Sequence, residues 1–209
     1  MERHLRVLLE ELSATGEERI SMMMGFTGFD VLSAAVGFAY AAHLGQKRKF
    51  TGDDYIVHPL RVGLALEPYG VTLQCAGILH DTIEDCGVTR EDLFSVFGEQ
   101  MKGRQIANVV QEVTGPSKQI PDAPRGRRKE VDLRHLAEVS PEAKILKMCD
   151  CMDNLRDLQH SQVPFDYLDL RLGERTRLLE VLRDAESELG NRMEQLIQEL
   201  REWNEERRG

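Results

Sequence analysis

Residues 78–85 read ILHDTIED and set two pairs of polar side chains, His80–Asp81 and Glu84–Asp85, at the end of a strongly apolar stretch. On one continuous helix His80 would lie above Glu84 and Asp81 above Asp85, each four residues apart. Burying such a cluster without compensation is costly. A divalent cation is a natural compensation, because imidazole and carboxylate are the usual ligands for Mn, Fe, Co or Zn. The alternative is a solvated helix C-terminus carrying a few acids, although acids there oppose the helix dipole. Asp150 is a second candidate. It shares a helical row with Leu146 and so borders an apolar stripe, with Asn154 one turn later; a plain polar-face aspartate would look the same. His58, just before Pro59, is a third, and a packed or capping histidine is its alternative. None of these is decisive alone.

The elements that must position these residues read as helices. Leu5, Leu8, Leu9 and Leu12 recur at helical spacing, and Gly25 to Gly28 marks a break. A buried, alanine-rich helix is predicted over 29–46, followed by a polar loop, RKFTGDDY, at 48–55. Proline favours the first helical position and pushes its predecessor out of the helical region, so His58 is expected at the entrance of a helix over 59–66. A single helix is predicted over 71–85, ended by Gly87. Thr89 and Asp92 resemble a capping arrangement for a helix over 90–97, and 100–113 carries one apolar side. Residues 115–128 hold three prolines and two glycines and are predicted as a loop. Ser140 and Pro141 start a helix reaching about 158. The last helical region, 172–205, carries a leucine-rich stripe through Leu178, Leu182, Leu189, Met193, Leu200 and Trp203, with Gly190 as a candidate break.

Composition agrees with helix. Of 209 residues 41% are hydrophobic, enough for a proper core, and only 6% are aromatic. The expected organisation is an N-terminal helix and linker over 1–28, a core over 29–170 and a C-terminal helix over 171–209. The net charge of −9 argues against nucleic acid as a partner. An anionic small molecule is not excluded, since a local basic cluster around a metal reverses the field. No uncharged apolar run approaches the ~20 residues needed to span a bilayer, so no membrane association is expected. Cys75, Cys86, Cys149 and Cys151 have no spacing of a disulfide framework. They read as reduced thiols of a cytoplasmic protein.

The order His58, His80–Asp81, Asp150 resembles the H…HD…D signature of HD-domain phosphohydrolases. Residues 42–62 (AHLGQKRKFTGDDYIVHPLRV), 77–85 (GILHDTIED) and 147–158 (KMCDCMDNLRDL) are similar to the hydrolase domain of RelA/SpoT-type proteins. The resemblance covers 29–158. It implies an all-α HD-domain helical bundle with a long C-terminal helical region, and a stand-alone small hydrolase that removes the 3′-pyrophosphate of guanosine alarmones. It implies one metal ion, Mn²⁺ in the family, on His58, His80, Asp81 and Asp150. Glu84 and Asp85 would position or deprotonate the attacking water. Arg48, Lys49, Thr51 and Asn154 would contact the nucleotide.

The chain also departs from the pattern. Phe50 and Asp53–Asp54 alter the loop that often reads RKSGEPY. Cys151 and Asp153 replace the arginine and histidine of a DRLHN motif, and Asp157 stands where threonine is common. These positions border the base pocket and not the metal. They keep open an adenosine alarmone or the 2′-phosphate of NADPH as substrate. A non-catalytic nucleotide-binding module is a further alternative, against which the full set of six metal and acid residues speaks. Lys147 and Arg156 are candidates for neutralising phosphate charge, with a charged-surface role suiting them at least as well; the run Arg125, Arg127, Arg128 and Lys129 could reach over polyphosphate, but a solvated loop suits it better. The C-terminal stripe packs on its own domain or serves a homodimer.

Overall fold

A computed structural model describes residues 31–161 and 163–208. The expected helix near the N-terminus and the glycine break at 25–28 lie outside the described residues. Among the described residues all regular structure is helical, apart from one antiparallel bridge between Lys47 and Asp54 that closes the 46–55 loop.

The helices are α1 (Val31–Ala42), α2 (Val57–Ala65), α3 (Val71–Leu79), α4 (Thr82–Asp85), α5 (Arg90–Phe97), α6 (Gly103–Val113), α7 (Arg125–Glu138), α8 (Pro141–Gln159), α9 (Phe165–Leu182) and α10 (Ser187–Glu206). Helix α3 is apolar almost all round and is buried between α1, α2, α6 and α8. Helix α8 spans the molecule, packing on α2, α6, α9 and α10. It starts where the sequence says it must. Ser140 caps it by accepting from the Ala143 N–H at 3.2 Å, and Pro141 takes the first turn. The Thr89–Asp92 capping box also forms, at the start of α5.

Helices α2 and α3 approach through glycine. A Cβ at Gly63 would stand 2.4 Å from Ile78 Cγ1, and one at Gly77 would stand 2.5 Å from Leu66 Cδ1. That close approach brings His58, in the first turn of α2, beside His80, which caps the end of α3.

Several sequence expectations are corrected. The helix predicted over 71–85 is broken at His80–Asp81. Asp81 adopts φ −91°, ψ −5°, and the Thr82 hydroxyl donates to the Leu79 carbonyl at 2.7 Å, satisfying an acceptor at the break. His58 does not precede its helix but lies in the first turn of α2, where Pro59 costs no intrahelical hydrogen bond. The 115–128 stretch is not one loop. It holds a short 3₁₀ turn, Pro116–Gln119, and its last residues, 125–128, open α7. The C-terminal region starts earlier than expected, at Phe165, and divides at the 3₁₀ turn Arg183–Ala185 and not at Gly190, which lies inside α10. The leucine stripe is largely spent within the chain: Leu178, Leu182, Leu189, Met193 and Leu200 are buried in the core.

Candidate metal centre and cavity

The break after α3 turns His80 and Asp81 towards α2 and α8. His58 and His80 are buried, with ring centroids 5.1 Å apart. One ligand atom each from His58, His80 and Asp81 can be chosen so that all lie within 4.8 Å of one another. Asp150 completes the group. Its Oδ1 is 3.2 Å from His58 Nε2 and 3.7 Å from His80 Nε2, while Asp81 Oδ2 is 3.6 Å and 3.1 Å from the same two nitrogens.

The backs of both rings are tied. His80 Nδ1 is 2.7 Å from the Gly77 carbonyl oxygen, and His58 Nδ1 is 2.6 Å from Asp153 Oδ2. A carbonyl or carboxylate there selects the Nδ1–H tautomer and leaves the Nε2 lone pair aimed into the cluster. His80 Nε2 is buried and makes no hydrogen bond, for all its nearness to two carboxylates. Two inward lone pairs facing two carboxylates are the donor set of a divalent transition metal, so the residues fit such an ion. Their electrostatics agree. Burial opposes charging His80, yet Asp81 and Asp150 push its pKa up to about 10. Asp150 is held well below the usual carboxylate range: its burial opposes that, but Lys147 and the two imidazoles outweigh it. The same carboxylates would hold a bound cation.

Glu84 and Asp85 line a cavity of about 230 Å³ beside these residues, together with Tyr55, Asp81, Lys147, Asp150 and Asn154. Burial raises the pKa of Glu84. Lys118 reaches both acids, at 3.5 Å from Glu84 Oε1 and 3.0 Å from Asp85 Oδ1. The four expected metal ligands and the two acids are therefore brought together, although the helix they were expected to share is broken.

The residues expected at the nucleotide divide. Asn154 lines the cavity, and its side-chain amide donates to the Asp150 carbonyl at 3.1 Å. Arg48 donates to Asn154 Oδ1 at 2.8 Å and to Asp157 Oδ2 at 2.9 Å, joining the same row of α8. Lys49 and Thr51 are exposed on the loop and do not line the cavity. The Lys49 ammonium stands 5.3 Å from the Phe50 ring, and Thr51 Oγ1 accepts from the Asp53 N–H at 3.4 Å. Arg156 is exposed.

Asp153, Arg61 and Tyr55 were not among the site candidates, and Lys147 was a candidate only for phosphate charge. Asp153 orients His58. Arg61 grips Asp153 at 2.7 Å and Asp157 at 2.6 Å. Tyr55 donates to Asp81 Oδ2 at 2.7 Å. Lys147, equally open to a surface reading, has its Nζ 2.8 Å from Asp150 Oδ2. Asp153 was findable, since it follows Asp150 by one turn. Tyr55 and Arg61 carried no such signal.

Comparison with known proteins agrees with this geometry. An HD-domain family model matches residues 35–167. A zebrafish (Danio rerio) protein, guanosine-3′,5′-bis(diphosphate) 3′-pyrophosphohydrolase MESH1, is 39% identical over 133 residues, which are 61% of this chain and 69% of the relative. The mouse (Mus musculus) protein of that name is 33% identical over 186 residues, covering 84% of this chain and 97% of the relative. A longer bacterial relative from Aquifex aeolicus, guanosine-3′,5′-bis(diphosphate) 3′-pyrophosphohydrolase, is 36% identical over 131 residues, but the chain spans only 18% of it. Among solved structures, one described as a metazoan ortholog of SpoT that hydrolyzes ppGpp superposes with a TM-score of 0.71 at 23% identity, covering 84% of this chain and 98% of that one. At that identity it speaks for the fold.

Proposed function

Because this chain belongs to the HD-domain family, we propose that it removes the 3′-pyrophosphate of guanosine 3′,5′-bis(diphosphate) alarmones with one divalent ion, Mn²⁺, held by His58, His80, Asp81 and Asp150. The observation that carries this reading is the pair of buried imidazoles, each tied behind by its Nδ1 and presenting Nε2 to two carboxylates. The names of the zebrafish and mouse relatives support the substrate.

When bound, the ion supplies Lewis acidity to the phosphoryl group and lowers the pKa of water. The chain supplies the rest. Glu84 is partly buried with a raised pKa, which suits a carboxylate that takes the proton of the attacking water. Asp85, held by Lys118 and within 3.4 Å of the Tyr55 hydroxyl, orients that water. The water oxygen bonds to the phosphorus next to the ribose 3′-oxygen, the P–O3′ bond breaks, the ribose oxygen regains a proton, and pyrophosphate is released. Arg48 and Asn154 form the nucleoside side, with Lys49 and Thr51 reaching a base from the exposed loop.

The test is turnover of ppGpp by the purified protein with and without manganese, with products identified. GDP and pyrophosphate support the proposal. Orthophosphate release from NADPH with ppGpp left intact would overturn it, as would cleavage of the adenosine alarmone alone. Cys86, Cys149 and Cys151 carry free thiols, which supports a reducing cytoplasm, and among the described residues no helix is long and apolar enough to cross a membrane. A homodimer is tested by light scattering on the purified protein; the leucine stripe, largely buried within the chain, does not require one.

A further inference from the structure

The cavity that holds Glu84 is also lined by cations that the metal ligands do not use: Lys129 of α7 and Arg175 and Arg177 of α9. Most charges near them are already committed. Arg177 pairs with Glu130 at 3.0 Å. Glu174, which also lines the cavity, is held at 2.8 Å by both Arg125 and Arg171. Asp132 accepts from the Ser117 N–H at 3.1 Å and hydroxyl at 2.8 Å. Lys129 comes no closer to Asp132 than 3.9 Å. Arg175 makes no ion pair and no hydrogen bond among the described residues. Two cations thus stand together on one wall of the cavity with no close ion pair of their own among the described residues, an arrangement that suits a multiply charged anion.

Their place along α8 says which part of a substrate they would meet. Arg48 engages Asn154 and Asp157 at the C-terminal end of that helix. Arg175 instead lines the cavity with Asp150, one turn earlier on that helix. A nucleotide lying along this row with its nucleoside at 154–157 would carry its 3′-phosphates past Asp150 towards Arg175. We propose that Arg175 and Lys129 form a subsite for the outer phosphate of the 3′-pyrophosphoryl group, an assignment that rests on the hydrolase reading above. The planar guanidinium can hold two oxygens of that phosphate, and the lysine adds a point charge. The pair would make the site prefer a pyrophosphoryl over a single phosphoryl group, and would hold the pyrophosphate after the P–O3′ bond has broken.

Equilibrium binding of inorganic pyrophosphate and of orthophosphate to the manganese-loaded protein tests this directly. The wild type should bind pyrophosphate the more tightly. R175Q should weaken pyrophosphate binding about tenfold or more and leave orthophosphate within about twofold. K129Q should give a smaller loss in the same direction, and R175K should recover part of it; these two serve if R175Q fails to fold. Equal affinity of the wild type for the two anions, or variants that change neither or both alike, would overturn the subsite. Absence of ppGpp turnover in the wild type would instead remove the hydrolase reading, and the difference between the two anions would still be readable.

Discussion

At the residue scale, the proposed centre depends on groups outside its ligand set. Asp153 is buried and shared between His58 Nδ1 at 2.6 Å and Arg61 Nε at 2.7 Å. Removing its charge while keeping its shape, D153N, should free the His58 tautomer and weaken metal affinity by roughly 10- to 100-fold. Metal titration of the variant reads this, and an unchanged affinity would show that Asp153 is only packing. Glu84 makes a different prediction. Burial raises its pKa above the ordinary 4.5, and the base proposed there acts only when deprotonated. Activity is therefore lost, as pH falls, at a higher pH than an ordinary glutamate would give. E84Q should lower kcat by roughly 10²- to 10⁴-fold, abolish that acidic limb and leave metal content intact.

At the element scale, the centre is set by how closely α2 and α3 approach. Gly63 and Gly77 leave no room for a methyl group; a Cβ on Gly77 would also stand 3.3 Å from Gly63 Cα. G77A should therefore push the two helices apart and destabilise the protein by about 1–3 kcal/mol. Because His58 and His80 ride on these helices, metal affinity should fall together with the denaturation midpoint. A variant of normal stability and normal metal binding would show that the contact is soft. The broken end of α3 works with this packing. Only because the chain turns at Asp81 do His80 and Asp81 face α8, where Asp150 and Asp153 wait one turn apart.

At the scale of the whole molecule, the proposed ligands come from α2, the α3–α4 junction and α8, which are distant in sequence. An ion that binds the folded chain and not the unfolded one ties these elements together and stabilises them. The gain is about 2.7 kcal/mol when free metal is 100 times its dissociation constant. Chelation should lower the thermal midpoint, and the shift should vanish in H58A, whose midpoint should no longer respond to metal. A midpoint in the wild type that is indifferent to chelator would count against the centre. Helices α9 and α10 act at this scale too. Leu168, Leu172, Met193 and Leu200 pack them into the common core, and that packing delivers Arg175 to the cavity wall.

Much of this protein was legible in its sequence. Apolar periodicity gave most of the helices, because each must bury one face, but not α7, whose one buried residue is Leu136; the caps at Thr89 and Ser140 act within four residues and so are written locally. The proposed metal ligands were legible as types, histidine and aspartate at apolar borders, and their order carried the family resemblance. The tertiary structure decided what depends on approach between distant segments. Whether 71–85 is one helix or two was settled by burial of His80 and Asp81 against α2 and α8, which outweighs the local preference for a continuous helix. Helix α7 begins inside a proline- and glycine-rich stretch because Pro124 precedes its first turn and α9 covers one side. Arg61, Tyr55, Lys147 and Arg175 have ordinary surroundings in sequence. They acquire roles only where the fold lowers the local dielectric and sets each charge within a few ångströms of another, and linear spacing does not record that distance.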